Sequence, residues 1–318
     1  MRKVVVTGSL SFDHIMNLPS RFRDYIMPDK IHMLNVSFYA RKMRRERGGT
    51  AGNISYTLGL LGQKPHLVAA AGSDFADYKK FLEANGVDCK EVRVFKSNLC
   101  STGFCLTDQD DNQMWGFSGG AMDYNKLLSL GKFKLQKPFV VVSPSGTEGL
   151  SNFVSQCIKY KFDYMYDPAF YIPTLPETEL KKGVTNCSIL IGNDYEISLL
   201  KRRLELSMKD LLGKGRVVIT TLGAKGSLIR QGRAVFRIPA ARSRNTSDPT
   251  GAGDAYRAGF LTGYLRGLAL DVCGKMGAVA AVYTVEKYGT TTHKFTRTEF
   301  RVRYKRNFGE DLNLYEKA

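Results

Sequence analysis

Short β-branched runs alternate along this chain with longer stretches whose apolar residues recur at helical spacing. Residues 3–8 (Lys-Val-Val-Val-Thr-Gly) predict a buried strand closed by a turn, because a compact β-branched run bounded by glycine is a strand signal. Residues 54–61 carry helical periodicity and stop at Gly62, a strand follows over 65–71, and a helix over about 74–85 ends at Gly86. Further strands are predicted at 138–142, 164–166, 188–191 and 216–220, with helices near 150–161, 195–200 and 207–212. Strands alternating with helices imply βαβ units, hence a mostly parallel sheet covered on both faces.

Two segments break the rhythm. Residues 29–47 and 101–117 alternate with a period of two, as exposed antiparallel strands do, and Asp110-Asp111-Asn112 reads as a turn between two of them. They predict a small sheet projecting from the main body, a lid built from inserted segments at about 14–47 and 98–121. With no internal repeat, low-complexity tract or long linker, residues 1–318 are expected to form one large α/β domain with its lid rather than two beads.

Composition narrows the class. Hydrophobic residues make up 43% and charged residues 24%, the balance of a soluble globular protein. The longest uncharged apolar stretch, 276–285, is half of what a membrane-spanning helix needs. No signal-peptide pattern precedes the first strand, and six scattered cysteines form no C-x-x-C, so a cytoplasmic protein with reduced thiols is expected. The net charge of +17 suits anionic partners. It is clumped at 41–47, 201–203 and 294–306, without the interleaved aromatics of a single-strand groove, so a solvated basic surface is favoured over a nucleic-acid partner.

The strongest chemical signal is the thirteen-residue run from Asp248 to Phe260, Asp-Pro-Thr-Gly-Ala-Gly-Asp-Ala-Tyr-Arg-Ala-Gly-Phe, placed before a helix. Glycines at a helix N-terminus let backbone N–H groups converge on an anion, and the helix dipole adds positive charge there. Gly251, Ala252 and Gly253 form such a nest, and Asp254 stands where a base could take a proton from a hydroxyl attacking a phosphate. A second glycine turn, Gly48-Gly49-Thr50-Ala51-Gly52-Asn53, also opens a helix.

These runs resemble the signatures of the ribokinase-like (PfkB) carbohydrate and nucleoside kinases. Three more matches follow in order: Asp13 in Gly8-Ser9-Leu10-Ser11-Phe12-Asp13, the N-x-x-E set Asn193 to Glu196, and Thr221-Leu222-Gly223-Ala224-Lys225-Gly226. The resemblance implies a ribokinase-like three-layer α/β/α fold with a mostly parallel central sheet and a small β-sheet lid. It implies ATP as phosphoryl donor, held along Asn193, Thr221, Gly223, Gly226 and Gly253, and Mg²⁺ organised by Glu196 through water. A monovalent cation such as K⁺ is a further candidate. Ser9, Asp13, Gly48, Gly49 and Asn53 would hold the acceptor.

Within that family the chain looks most like the bacterial and archaeal adenosine-kinase branch. Carried over, this means phosphorylation of a nucleoside 5′-hydroxyl, adenosine to AMP, with Phe104 and Phe117 as base-stacking candidates that serve equally as lid core. Asp167-Pro168 is retained, but the polar stretch found next in some relatives is here Ala169-Phe170-Tyr171. A sugar or sugar-phosphate kinase of the same fold is the alternative, for which residues 41–47 could supply a phosphate contact. The lid strands could close within one chain or pair with a second copy as a homodimer.

Overall fold

A computed structural model describes residues 2–110, 112–213 and 215–312. The chain opens with strand β1 (Val4–Thr7), runs outward as β2 (Ser11–Asn17), returns as β3 (Lys42–Gly48) and enters helix α1 (Thr50–Leu60). Short strands β4 (His66–Val68) and β5 (Ala70–Gly72), helix α2 (Ala76–Ala84) and strand β6 (Arg93–Phe95) lead to a hairpin of β7 (Ser101–Thr107) and β8 (Gln113–Ser118). Strands and helices then alternate through β9 (Phe139–Val142), α3 (Thr147–Tyr160), β10 (Asp163–Tyr166), α4 (Glu177–Asn186), β11 (Ile189–Asn193), α5 (Asp194–Arg203), α6 (Met208–Leu212) and β12 (Val217–Thr221). A hairpin of β13 (Ser227–Gln231) and β14 (Ala234–Ile238) precedes helices α7 (Ala252–Tyr264), α8 (Leu270–Val285) and α9 (Arg297–Phe308).

The large sheet has the order β14-β13-β12-β11-β10-β9-β1-β4. Its pairs are parallel except β12–β13 and β13–β14. Both faces are buried, which is why these strands read as continuous apolar runs. Val4, Val6, Ile189, Ile191, Val217 and Ile219 join one core with α1, α7 and α8. Val5, Val140, Val142, Leu190 and Val218 face the opposite core with α3, α4 and α5. All six cysteines are free and buried. Among the described residues no helix is long and apolar enough to cross a membrane.

The small sheet, β3-β2-β7-β8, differs in detail from its expected form. It begins at Ser11, ahead of the expected lid boundary at about 14, so Asp13 lies within a strand of the small sheet. Only Lys42–Gly48 of the 29–47 segment is a strand; Pro28–Met33 is a short 3₁₀ turn started by Pro28. The apolar residues alternating there have no face to bury, and Met33 and Tyr39 are 77% and 78% exposed. Asp108 organises the β7–β8 turn, its Oδ1 accepting from Asp110 N and Asn112 N at 2.9 Å; Asp111 lies outside the described residues. The expected strand at 65–71 divides into β4 and β5, which join different sheets.

Helices α7 and α8 pack at closest approach through small residues. A Cβ on Gly259 would lie 2.5 Å from Met276 O and 2.9 Å from Ala280 Cβ. Gly259→Ala should therefore cost about 1–3 kcal/mol through overpacking and lower Tm in a calorimetric scan.

Candidate active site

The parallel strands deliver Thr7, Val142, Tyr166, Asn193 and Thr221 to one edge of the large sheet, the edge where crevices form in open α/β folds. At that edge, the loop before α7 is pinned from both sides. Asp248 accepts from Thr250 N through Oδ1 (2.9 Å) and from Gly289 N through Oδ2 (3.1 Å). Gly251 takes the left-handed conformation (φ +79°) needed to turn the chain into the helix, and a Cβ there would meet the Thr290 side chain. The backbone N–H groups of Gly251, Ala252 and Gly253 thus begin α7 on a fixed loop.

Asp254 occupies the first turn of α7 and is buried. Its Oδ2 accepts from Asn53 Nδ2 at 2.9 Å, and Asn53 Oδ1 in turn lies 2.7 Å from Thr290 Oγ1. One turn along, Arg257 Nε sits 2.7 Å from Asp167 Oδ2 in a pair almost wholly removed from solvent. Gly253 leaves space for that guanidinium, since a Cβ would approach Arg257 Nη1 to 2.7 Å. Burial pushes the Asp254 carboxyl up to about 6, while Arg257 and the Asn53 hydrogen bond act against it.

Asp13, half-buried in the small sheet, is the other candidate carboxylate. A Cβ on Gly48 would come within 2.5 Å of its Oδ2, and one on Gly103 within 2.8 Å of its Oδ1, so two glycines make its slot. Desolvation raises its carboxyl to about 6; the long Ser11 hydrogen bond opposes this, and the charges of Asp248 and Glu46 add to it. Register places Asp13, Gly103 and Phe117 on one face of the small sheet. Trp115 shares it, its ring stacked on Phe117 with centroids 5.3 Å apart and planes 2° from parallel. Phe104 does not. Because side chains alternate along a strand, it projects from the opposite face and stacks on His14 at 5.1 Å, which corrects its pairing with Phe117 as a candidate for one ligand surface.

Other expected residues are partly committed to local structure. Ser9 Oγ accepts from Thr50 N at 3.1 Å and so supports the start of α1. Gly49 (φ +90°) has backbone on its Cβ side, with Ser9 O at 2.5 Å. Asn193 and Glu196 form a reciprocal capping box at α5: Glu196 N donates to Asn193 Oδ1, and Asn193 N to Glu196 Oε2, both at 2.8 Å. Glu196 Oε1 takes no part in that cap, and burial raises this carboxyl. Thr221 is the register partner of Asn193, and Gly223 and Gly226, both at positive φ, shape the turn that follows.

The sequence pattern of the pfkB family carbohydrate kinases matches residues 1–297. The chain belongs to this family. It is 32% identical over 300 residues to a nucleoside kinase of Methanothermobacter thermautotrophicus, covering 92% of both chains. A nucleoside kinase of Methanocaldococcus jannaschii is 27% identical over 298 residues, with 92% of this chain and 93% of the relative covered. The fold superposes on a Burkholderia thailandensis nucleoside kinase in complex with inosine at TM-score 0.88 and 29% identity, covering 97% of this chain and 99% of that one. The same enzyme with ADP and inosine gives 0.85 at 31% identity, covering 97% of each chain. The architecture is therefore ribokinase-like.

In this pfkB-family chain, sequence reading missed the Arg257–Asp167 pair, the Thr290 contact and Trp115. Trp115 was accessible to it: strand alternation puts residue 115 on the face of Phe117, and it is the chain's single tryptophan.

A buried carboxylate held near 6 binds a proton more tightly when folded than when unfolded, so it subtracts stability as pH rises from about 4 through 6. Asp254→Asn should accordingly raise Tm at pH 7 by about 2–4 °C. The gain should vanish near pH 4, where the native carboxyl is protonated; thermal scans at both pH values check this.

Proposed function

We propose that this kinase transfers the γ-phosphoryl group of ATP to the 5′-hydroxyl of a nucleoside, adenosine or a related purine nucleoside. The observation that carries the reading is the shared sheet face: a carboxylate in a glycine slot, Asp13, beside a stacked aromatic pair, Trp115 and Phe117. A carboxylate accepting two hydroxyls suits a ribose diol, and an exposed flat ring suits a purine. The small sheet then acts as a lid, carrying ribose and base contacts to the anion nest. The names of the archaeal relatives and the inosine complex of the Burkholderia enzyme support the same acceptor class.

In the reaction, the 5′-oxygen attacks the γ-phosphorus, the bond to the ADP oxygen breaks, and the hydroxyl proton passes to Asp254. The N–H groups of Gly251 and Gly253 stabilise the charge on the transferring phosphoryl group, whereas Ala252 N donates to Pro249 O at 3.1 Å and closes the turn between them. Asn53 orients Asp254 and, with Gly48 and Gly49, borders the ribose; Asn193, Thr221, Gly223 and Gly226 line the nucleotide. Glu196, with Oε1 outside its cap, is the oxygen donor suited to Mg²⁺ and its waters, which neutralise phosphate charge when bound.

The sugar-phosphate alternative finds no support in the arginines of β3. Arg45 lies over Phe12 and pairs with Asp74 at 2.8 Å, and Arg47 lies over Phe81. Arg44, on the face of Asp13, lies over Tyr288.

ATP consumption measured with adenosine, inosine, cytidine, ribose and fructose phosphates should rank a purine nucleoside first. A sugar or sugar phosphate outperforming every nucleoside would overturn the proposal. Asp254→Asn should lower kcat roughly 10²–10⁴-fold, the usual share of a general base, and wild-type kcat/KM should fall as pH drops through about 6.

Trp115→Ala should raise the nucleoside KM about tenfold, the size of one lost stacking contact, while Phe104→Ala leaves it within about twofold. Steady-state kinetics of the two variants separate the faces of the small sheet.

A further inference from the structure

A cleft of about 640 Å³ opens between the end of α8, helix α9 and the segment leading to the anion loop. Six cations line it: Arg242, Arg244, Lys287, Lys294, Arg303 and Arg306. Its two acids are already committed. Glu286 is paired with Arg303 at 2.5 Å, and Glu299 caps α9 through Thr296. Among the described residues, the other five cations stand in no ion pair. Self-repulsion in a concave basic site is a cost unless an anion relieves it, and field lines concentrate in such a cleft.

We infer that this cleft binds a small polyanion with clustered phosphate groups, at a site separate from the Asp13–Asp254 pocket. Size and ring geometry select the ligand class. The volume suits a small molecule. Among the described residues the only aromatic ring lining the cleft, Tyr283, is covered on one side by the Arg303 guanidinium at 4.4 Å and packs against Phe295 at 4.6 Å. Among these residues no open ring face is left to stack a base, as a single-stranded nucleic acid requires. Guanidinium and ammonium groups arrayed without such a platform recognise phosphate oxygens by charge-assisted hydrogen bonds.

The cleft also touches the backbone of the catalytic edge. Glu286 Oε1 accepts from Arg244 N at 2.6 Å, and Val285 O accepts from Ser247 N and Asp248 N at 2.9 and 3.1 Å. An anion drawing Arg244 and Lys287 together therefore braces the segment that enters the anion loop.

The test is a calorimetric titration of the full chain with inorganic tripolyphosphate at low and high salt. Two double variants accompany the wild type: Lys294→Ala/Arg306→Ala in the cleft, and Lys181→Ala/Arg202→Ala as a charge-matched control elsewhere. All four side chains lie outside the catalytic pocket, and exposed substitutions of this kind leave folding intact. The expected result is saturable binding of one ligand per cleft, weakened by salt, weakened at least about tenfold in the cleft variant and unchanged in the control. Equal affinity in all three proteins, or no saturable binding to the wild type, would overturn the assignment. So would binding of a single-stranded RNA oligonucleotide with this variant dependence in place of tripolyphosphate, which would give the cleft to nucleic acid.

Discussion

The carboxylate of Asp254 is the point on which the catalytic edge is assembled. Its hydrogen bond to Asn53 spans 201 positions of sequence, and the contact from Asn53 to Thr290 spans 237. Three segments, the start of α1, the start of α7 and the loop after α8, must therefore dock together before any of these groups is satisfied. A charge placed there is expensive because α7 is buried at its first turn. The Arg257–Asp167 pair offsets part of that cost by putting a guanidinium one helical turn away, itself neutralised from the end of β10. Removing one member of such a pair strands the other in a medium that cannot solvate it.

The same logic explains how the glycines are distributed. Gly48 and Gly103 border Asp13, and Gly253 borders Arg257. In each place the missing side chain makes room for a charged group rather than for a turn. Gly49 and Gly251 are different: both have positive φ, and they bend the chain into α1 and α7. Two demands, space and backbone conformation, thus produce one residue type within three positions of each other in both glycine runs.

Much of this was legible in the sequence. The parallel strands announced themselves because both of their faces are buried, which leaves uninterrupted apolar runs at β1, β9, β11 and β12. The anion loop was legible because its chemistry is local: glycine, helix start and acid within seven positions, 248–254. The small sheet was harder. Its strands bury little, so alternation alone could not separate β3 from the exposed turn before it, and β2 was hidden by its proximity to β1. Phe104 and Phe117 looked equivalent by type, and only the pairing register across β2, β7 and β8 sends them to opposite faces. Arg257–Asp167 and Thr290–Asn53 are long-range contacts, which no local pattern encodes.

The six buried thiols have a consequence for how the molecule can be watched. Burial pushes Cys89, Cys100, Cys187 and Cys273 up to about 12 and raises Cys105 and Cys157 as well, so in the folded chain essentially none is present as the reactive thiolate. They are also dispersed: Cys105 in the small sheet, Cys157 and Cys187 in one core, Cys273 in the other. An alkylating reagent in native buffer becomes a clock, consuming each thiol only when its own neighbourhood opens. The order in which the six are lost would trace the breathing of the molecule region by region, with no substitution made in the chain beforehand.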